Sequence, residues 1–192
     1  MITFSKIRWM NFLSTGNVFT EIDLQRSHTT LISGPNGAGK STLLDALTFV
    51  LYGKPFRKIN KPQLISSINQ KNMLVEVDFT IGSYDYMIRR GMKPNVFEIF
   101  RDGILLNQDA ASRDYQQYLE ENILKINFKA FTQIVILGSA TYVPFMQLPA
   151  QQRREVIEDL LDIQVFSTMN LLLKERIATN KEDLSGKKYS LD

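Results

Sequence analysis

The stretch Gly34-Pro35-Asn36-Gly37-Ala38-Gly39-Lys40-Ser41 constrains this chain more than any other. It satisfies G-x-x-x-x-G-K-S, the pattern in which a glycine-rich loop joins a strand to a helix and wraps a phosphate. Glycines let the backbone approach an anion closely, the loop amides point inward, and the following helix offers the positive end of its dipole. On this reading Asn36, Gly37, Ala38 and Gly39 present backbone to ATP, while Lys40 reaches the β- and γ-phosphates. Ser41 offers a hydroxyl to Mg²⁺, an oxygen-preferring ion, and Thr42 donates to an upstream phosphate oxygen. The flanks agree, because Thr29 to Ser33 reads as a short buried strand. Thr42 to Leu51 reads as a buried helix stopped by Gly53 and Pro55.

Two-residue periodicity dominates on either side of that unit. Ile2, Phe4, Ile7, Trp9 and Phe12 flank polar positions, and Val18, Ile22 and Leu24 recur after Ser14-Thr15-Gly16-Asn17, which predicts a hairpin. Further on, Val75, Val77, Phe79 and Ile81, then Tyr84, Tyr86 and Ile88, then Val96, Phe97 and Ile99 predict an antiparallel sheet. Asp102-Gly103 supplies its last hairpin turn before Ile104 to Leu106. Ser112 to Leu124 returns to helical spacing, with Tyr115, Tyr118, Leu119 and Ile123 on one stripe. These tyrosines, with Tyr84 and Tyr86, read as packing residues, and His28 as the end of a strand. Pro149 suits the first turn of another helix whose buried face is Val156, Ile157, Leu160 and Leu161. Ile163, Asn170, Ile177, Leu184 and Leu191 then fall every seventh residue, with Phe166 and Leu173 between them. That pattern resembles a heptad seam which weakens at Asn180 and Lys187.

A chain of 192 residues that is 44% hydrophobic can bury one substantial core. It has no cysteine, which excludes disulfides, thiolate zinc sites and thiol nucleophiles, and its one histidine excludes multi-histidine metal sites. Charged or polar residues interrupt every apolar stretch well short of ~20 residues, and Lys6 and Arg8 break up the first ten positions. A soluble cytoplasmic chain with no membrane partner is therefore expected. The net charge of +3 permits contact with nucleic acid without declaring it.

Hydrolysis needs more than the loop, including an acidic metal partner at a strand end. Val75-Glu76-Val77-Asp78 and Ile157-Glu158-Asp159 come nearest, but the first alternates like a half-exposed strand and the second sits in an apparent helix. The loop together with Thr42-Leu43-Leu44-Asp45-Ala46 resembles the ATP-binding cassette of the SMC-like DNA double-strand-break-repair ATPases. Phe131-Thr132-Gln133-Ile134-Val135-Ile136-Leu137-Gly138 resembles their Q-loop. Gly53-Lys54-Pro55-Phe56-Arg57 and Lys93-Pro94-Asn95-Val96-Phe97-Glu98-Ile99 are most similar to the version in tailed bacteriophages, the ATPase subunit of a recombination exonuclease. Two departures stand out. Asn11-Phe12 is followed by Leu13 where many relatives carry a basic residue, and Leu184-Ser185-Gly186-Lys187-Lys188 lacks the second glycine of a signature motif.

The resemblance implies an α/β fold, the N-terminal lobe of an ABC-type phosphate-loop ATPase head, with an antiparallel sheet beside it. Residues 1–162 would form that lobe and 163–192 the start of a coiled coil. It further implies that Gln133 touches Mg²⁺ and that Lys40 and Gln133 act in catalysis. A C-terminal half of the same ATPase would supply the acidic, signature and switch-histidine motifs, so turnover by this chain alone should be poor. The implied partners are that half, a second head in a homodimer, a metallophosphoesterase-type nuclease subunit and double-stranded DNA ends. If the protein is phage-encoded, its compartment is the host cytoplasm. Arg57, Lys58, Lys61, Arg89, Arg90, Lys93 and Arg101 are candidate DNA-phosphate contacts or, equally, a solvated basic face. Arg153 and Arg154 begin the helix leading to the coil and read as surface residues. Two other functions stay open: a transporter-type cassette, and a nucleotide-binding interaction module that never hydrolyses ATP.

Overall fold

The computed structural model describes residues 2–106, 112–136, 143, 145–161 and 163–189. Leu137 and Gly138 of the expected Q-loop, Asp162 at the expected domain boundary and Leu191 of the heptad lie outside them. The chain divides into two compact units, Met1–Tyr142 and Val143–Asp192.

The first unit is organised by a six-stranded, wholly antiparallel sheet in the order β2-β1-β3-β4-β5-β6. Its strands are β1 (Ile2–Met10), β2 (Thr20–Asp23), β3 (Met73–Ile81), β4 (Tyr84–Met92), β5 (Val96–Arg101) and β6 (Ile104–Leu105). Both expected hairpin regions are present, and Asp102 and Gly103, each at positive φ, close β5 onto β6. The apolar series of β1 steps by two, then three, then two residues, from Ile2 and Phe4 to Ile7 and Trp9. The ladder explains that irregularity, because the pairing with β3 shifts register between Phe4 and Lys6. The extra residue returns Ile7 and Trp9 to the face that Phe4 occupies beside Phe79.

That face packs on helix α1 (Thr42–Tyr52), which lies across β3 and β4. Ile7, Val75, Val77, Ile88 and Ile99 from the sheet and Ala46, Val50 and Leu51 from the helix are fully buried. Trp9 is buried too, and its indole Nε1–H has no hydrogen-bond partner among the described residues. Helix α2 (Ser112–Tyr118) continues as a π-helical stretch, Leu119–Leu124, that buries Leu119, Ile123 and Leu124. Helix α3 (Phe128–Ile134) follows, capped by the Asn127 side chain, which accepts from the Ala130 amide at 2.9 Å.

The opposite face of the sheet carries a row of charges in register across five strands. Glu21 stands opposite Arg8, Arg8 opposite Glu76, Glu76 opposite Arg89 and Arg89 opposite Glu98. Glu76 is 2% exposed and satisfied from both sides, by Arg8 and by Arg89, while Arg8 and Arg89 lie over the rings of Phe19 and Phe100.

Several expectations fail in ways that have physical causes. Thr29 to Ser33 forms no strand; it is irregular and exposed, with Leu31 88% accessible, because no strand lies beside it among the described residues. In the Q-loop block Ile134 ends a helix and Val135 follows in a turn, its amide donating to the Phe131 carbonyl; these two side chains are exposed, while Phe131 and Ile136 are buried. Tyr86 and Tyr115 pack as expected, whereas Tyr84 and Tyr118 are exposed and His28 lies exposed in a bend.

The second unit consists of α4 (Ala150–Leu160), with Pro149 at its N-cap, and α5 (Gln164–Tyr189). Of the face expected to be buried on α4 only Val156 is; Ile157, Leu160 and Leu161 are exposed, since two helices offer no second layer to cover them. Phe166, Leu173, Ile177 and Leu184 are likewise exposed along α5. Among the described residues no helix is long and apolar enough to cross a membrane.

Candidate nucleotide site

Residues 34–41 make an exposed loop that leads directly into α1. Gly37 and Gly39 sit at φ +86° and +88°, a left-handed conformation that a side chain would strain. Two bonds shape the loop: the Ala38 amide donates to the Pro35 carbonyl at 3.2 Å and the Thr42 amide to Gly39 at 2.9 Å. No hydrogen bond among the described residues engages the amides of Gly37, Gly39, Lys40 or Ser41. Those donors stand at the positive end of an 11-residue helix, which is what an anion requires.

Lys40 folds back over the loop, and its Nζ donates to the carbonyls of Gly34 at 2.7 Å and Pro35 at 2.8 Å. The two carbonyl oxygens hold the Lys40 side chain at the loop mouth, where it can exchange them for phosphate oxygens. Ser41 occupies the N-cap in helical conformation and makes no side-chain capping bond, so its hydroxyl is available. Thr42 is buried at 5% exposure, close against Gly39. The donor set therefore fits a polyphosphate with Mg²⁺: amides and a lysine for the anion, a hydroxyl for the cation.

One turn into the helix, Asp45 is fully buried. Arg57 satisfies it twice over, donating its backbone amide to Oδ1 at 2.9 Å and its Nε to Oδ2 at 2.7 Å. The pair draws the loop after α1 back beside the first turn of the phosphate-loop helix. Sequence reasoning missed this contact, although a carboxylate inside an apolar helix is a signal that a partner exists.

Gln133 lies in the last turn of α3, and no hydrogen bond joins it to residues 34–42. Phe131 and Phe128 pack on Tyr52, at the end of α1 remote from the loop. The Gln133 Oε1 atom is buried without a hydrogen-bond partner among the described residues. An unsatisfied buried acceptor of this kind suits a cation or a donor brought to it.

The basic candidates are mostly committed elsewhere. Arg57 is bound to Asp45, Arg89 to Glu76 and Glu98, Arg90 to the Val50 carbonyl, and Arg101 lies 3.6 Å over Tyr84. Lys58, Lys61 and Lys93 are exposed. The two glutamates of the acidic sequences are engaged as well: Glu76 faces away from α1 between two arginines, and Glu158 is held by Arg154 and Ser167. Those two bonds hold the Glu158 carboxyl below its usual range.

A family model described as AAA domain matches residues 6–189. Exonuclease subunit 2 of Escherichia phage RB69 is 43% identical over 173 residues, covering 90% of this chain and 31% of that protein. The same subunit of Enterobacteria phage T4 is 44% identical over an equal span. A DNA double-strand break repair Rad50 ATPase of Thermoplasma volcanium is 27% identical over 190 residues, 96% of this chain and 20% of that one. The chain thus spans about a third of the length of the phage relatives. Among solved structures, a chain from work on ATP-driven dimerization and DNA-stimulated activation of SMC ATPases superposes with a TM-score of 0.53 at 22% identity, covering 82% of this chain and 99% of that one. The Smc head domain from Pyrococcus furiosus superposes at 0.51 and 18% identity, over 96% of this chain and 48% of its own. At those identities the likeness shows the fold, an α/β head of the ABC-ATPase type represented by its N-terminal lobe. Neither a transporter cassette nor a non-hydrolysing module is favoured by these relatives. With the phosphate loop, the antiparallel sheet and the match over 6–189 in agreement, the chain belongs to the AAA domain family.

Proposed function

We propose that this chain binds ATP and Mg²⁺ as the N-terminal half of a repair ATPase head, and that head association controls nuclease processing of DNA ends. The observation that carries the reading is the loop itself, with Lys40 curled onto Gly34 and Pro35 beside four unengaged amides. Lys40, Ser41 and the backbone of Asn36 to Gly39 would hold the phosphates, Thr42 would serve an upstream oxygen, and Ser41 and Gln133 would hold Mg²⁺. Bound Mg²⁺ supplies charge neutralisation on the phosphate oxygens. This chain's own part is to bind and orient; the groups that activate water belong to a C-terminal half.

The exposed segment Thr29 to Ser33 supports that division. Leu31 at 88% and Ile32 at 42% exposure are apolar residues of strand character left without a neighbour, which the C-terminal half would cover. A second head, a metallophosphoesterase-type nuclease subunit and double-stranded DNA ends complete the proposed assembly, which would act in the host cytoplasm. The coiled coil would begin in the exposed apolar seam of α5. That the phage relatives are exonuclease subunits supports the nuclease partner.

The test is ATP affinity of the wild-type chain against Lys40→Ala, followed by ATPase assays after adding a separately made C-terminal half. Lys40-dependent binding, little turnover alone and restored DNA-responsive turnover on mixing are expected. Equal binding by Lys40→Ala would remove the assignment, and Gln133→Ala should weaken the Mg²⁺ dependence of binding specifically.

A further inference from the structure

The last carbonyls of a helix have no intrahelical donor, and in α1 three of them find partners from three places. The Gly53 amide, at φ +67°, donates to Phe49 at 2.8 Å. Arg90 on β4 donates Nε to the Val50 carbonyl at 3.0 Å, and Gln116 on α2 donates Nε2 to the Leu51 carbonyl at 3.1 Å. Arg90 and Gln116 also bond each other, Gln116 bonds Glu120 at 2.7 Å, and the Arg90 guanidinium lies 3.6 Å over the Phe97 ring. A Cβ at position 53 would stand 2.7 Å from Arg90 Nη1, so glycine there serves the clamp as well as the turn. Burial pulls Arg90 below the usual guanidinium range, to about 9, while Glu120 opposes the fall. The group therefore remains a cation at neutral pH, at the helix end where a cation is favoured.

We propose that Arg90 and Gln116 are positioning residues for the phosphate loop, fixing its place by clamping the far end of α1 to β4 and α2. The inference rests on the reading of residues 34–41 as the ATP site. The physical basis is that α1 is a rigid rod of 11 residues, about 16 Å long. Its apolar contacts with β3 and β4 are non-directional and permit sliding or tilting, whereas the clamp bonds are directional. A tilt of about 4° at one end moves the other by about 1 Å, enough to misplace Lys40 and Ser41 against a phosphate.

The test compares ATP affinity of the full chain in wild type, Arg90→Met, Arg90→Lys and Ile99→Ala at a temperature where each is folded. Ile99→Ala opens a cavity in the sheet without touching the clamp and controls for lost stability. The expectation is about tenfold weaker binding in Arg90→Met, an intermediate value in Arg90→Lys and wild-type affinity in Ile99→Ala. Binding by Arg90→Met within about twofold of wild type, or an equal loss in Ile99→Ala, would overturn the proposal. Should Arg90→Met not fold, Gln116→Leu removes one cap and the Arg90 acceptor and is read by the same criteria. A Lys40→Ala control separates the two layers: wild type binding no better than Lys40→Ala defeats the ATP-site reading and the clamp with it. Lys40-dependent binding that ignores Arg90 and Gln116 defeats the clamp alone.

Discussion

Arg57→Ala should destabilise the chain far more than the loss of a surface arginine does. The residue is 45% exposed by side chain, yet its partner Asp45 is completely buried and takes its bonds from Arg57. A buried charge stripped of its partner costs about 3–5 kcal/mol. Here the Arg57 amide remains and water can follow the departing guanidinium, which brings the figure to about 2 kcal/mol. In a domain the size of Met1–Tyr142 each kcal/mol moves the midpoint by about 3 °C, so Tm should fall by roughly 5–8 °C. Thermal unfolding followed by circular dichroism gives the value, and Asp45→Asn alone and combined with Arg57→Ala completes a cycle. The double variant should be less damaged than the sum of the singles by about 1–2 kcal/mol, because the side-chain amide replacing the Asp45 carboxylate carries no charge to strand. A drop below about 1 °C, or simple additivity, would refute the coupling of this pair. So would the loss of about one unit of salt dependence in double-stranded DNA affinity on Arg57→Ala, since that would show the guanidinium on DNA phosphate.

Two further outcomes are expected. Burial holds the Asp78 carboxyl above its ordinary range, with Arg8 and Lys6 lowering it and Glu76 and Glu21 raising it. The folded state thus binds this proton more tightly than the unfolded state, and stability is lost as pH rises through the folded value. Asp78→Asn should raise Tm at neutral pH, with the advantage shrinking toward about pH 3–4 in melts across the range; a pH-independent gain would contradict this. Leu31→Ser should leave Tm of this chain within about 1 °C, because the residue is already 88% exposed, but weaken capture of the C-terminal half. Unchanged capture would show that Thr29 to Ser33 takes no partner.

Local signals carried the parts of the fold that depend on local physics. The glycine loop, the start of α1 at Thr42 and the Asp102-Gly103 turn follow from neighbours in the chain. Even the bulge is written in β1, as the three-residue step from Phe4 to Ile7. What depends on distant partners was not legible. Thr29 to Ser33 has the composition of a strand but no strand beside it among the described residues, and the exposed face of α4 has the spacing of a buried one. Arg89, Arg90 and Arg101 read as a basic face because only the fold shows that a carboxylate, a helix end and an aromatic ring already hold them. The phosphate loop was visible residue by residue, whereas the Asp45–Arg57 and Arg90–Gln116 contacts needed the sheet and helices to bring them together.

The charge row Glu21, Arg8, Glu76, Arg89 and Glu98 ties the mutational fates of five positions on five strands. Reversing one sign sets like charges side by side around a buried carboxylate, whereas reversing the whole row restores every neighbour relation. Substitutions there are consequently tolerated in concert more readily than singly, and Glu76, with a partner on each side, is the position least free to change first.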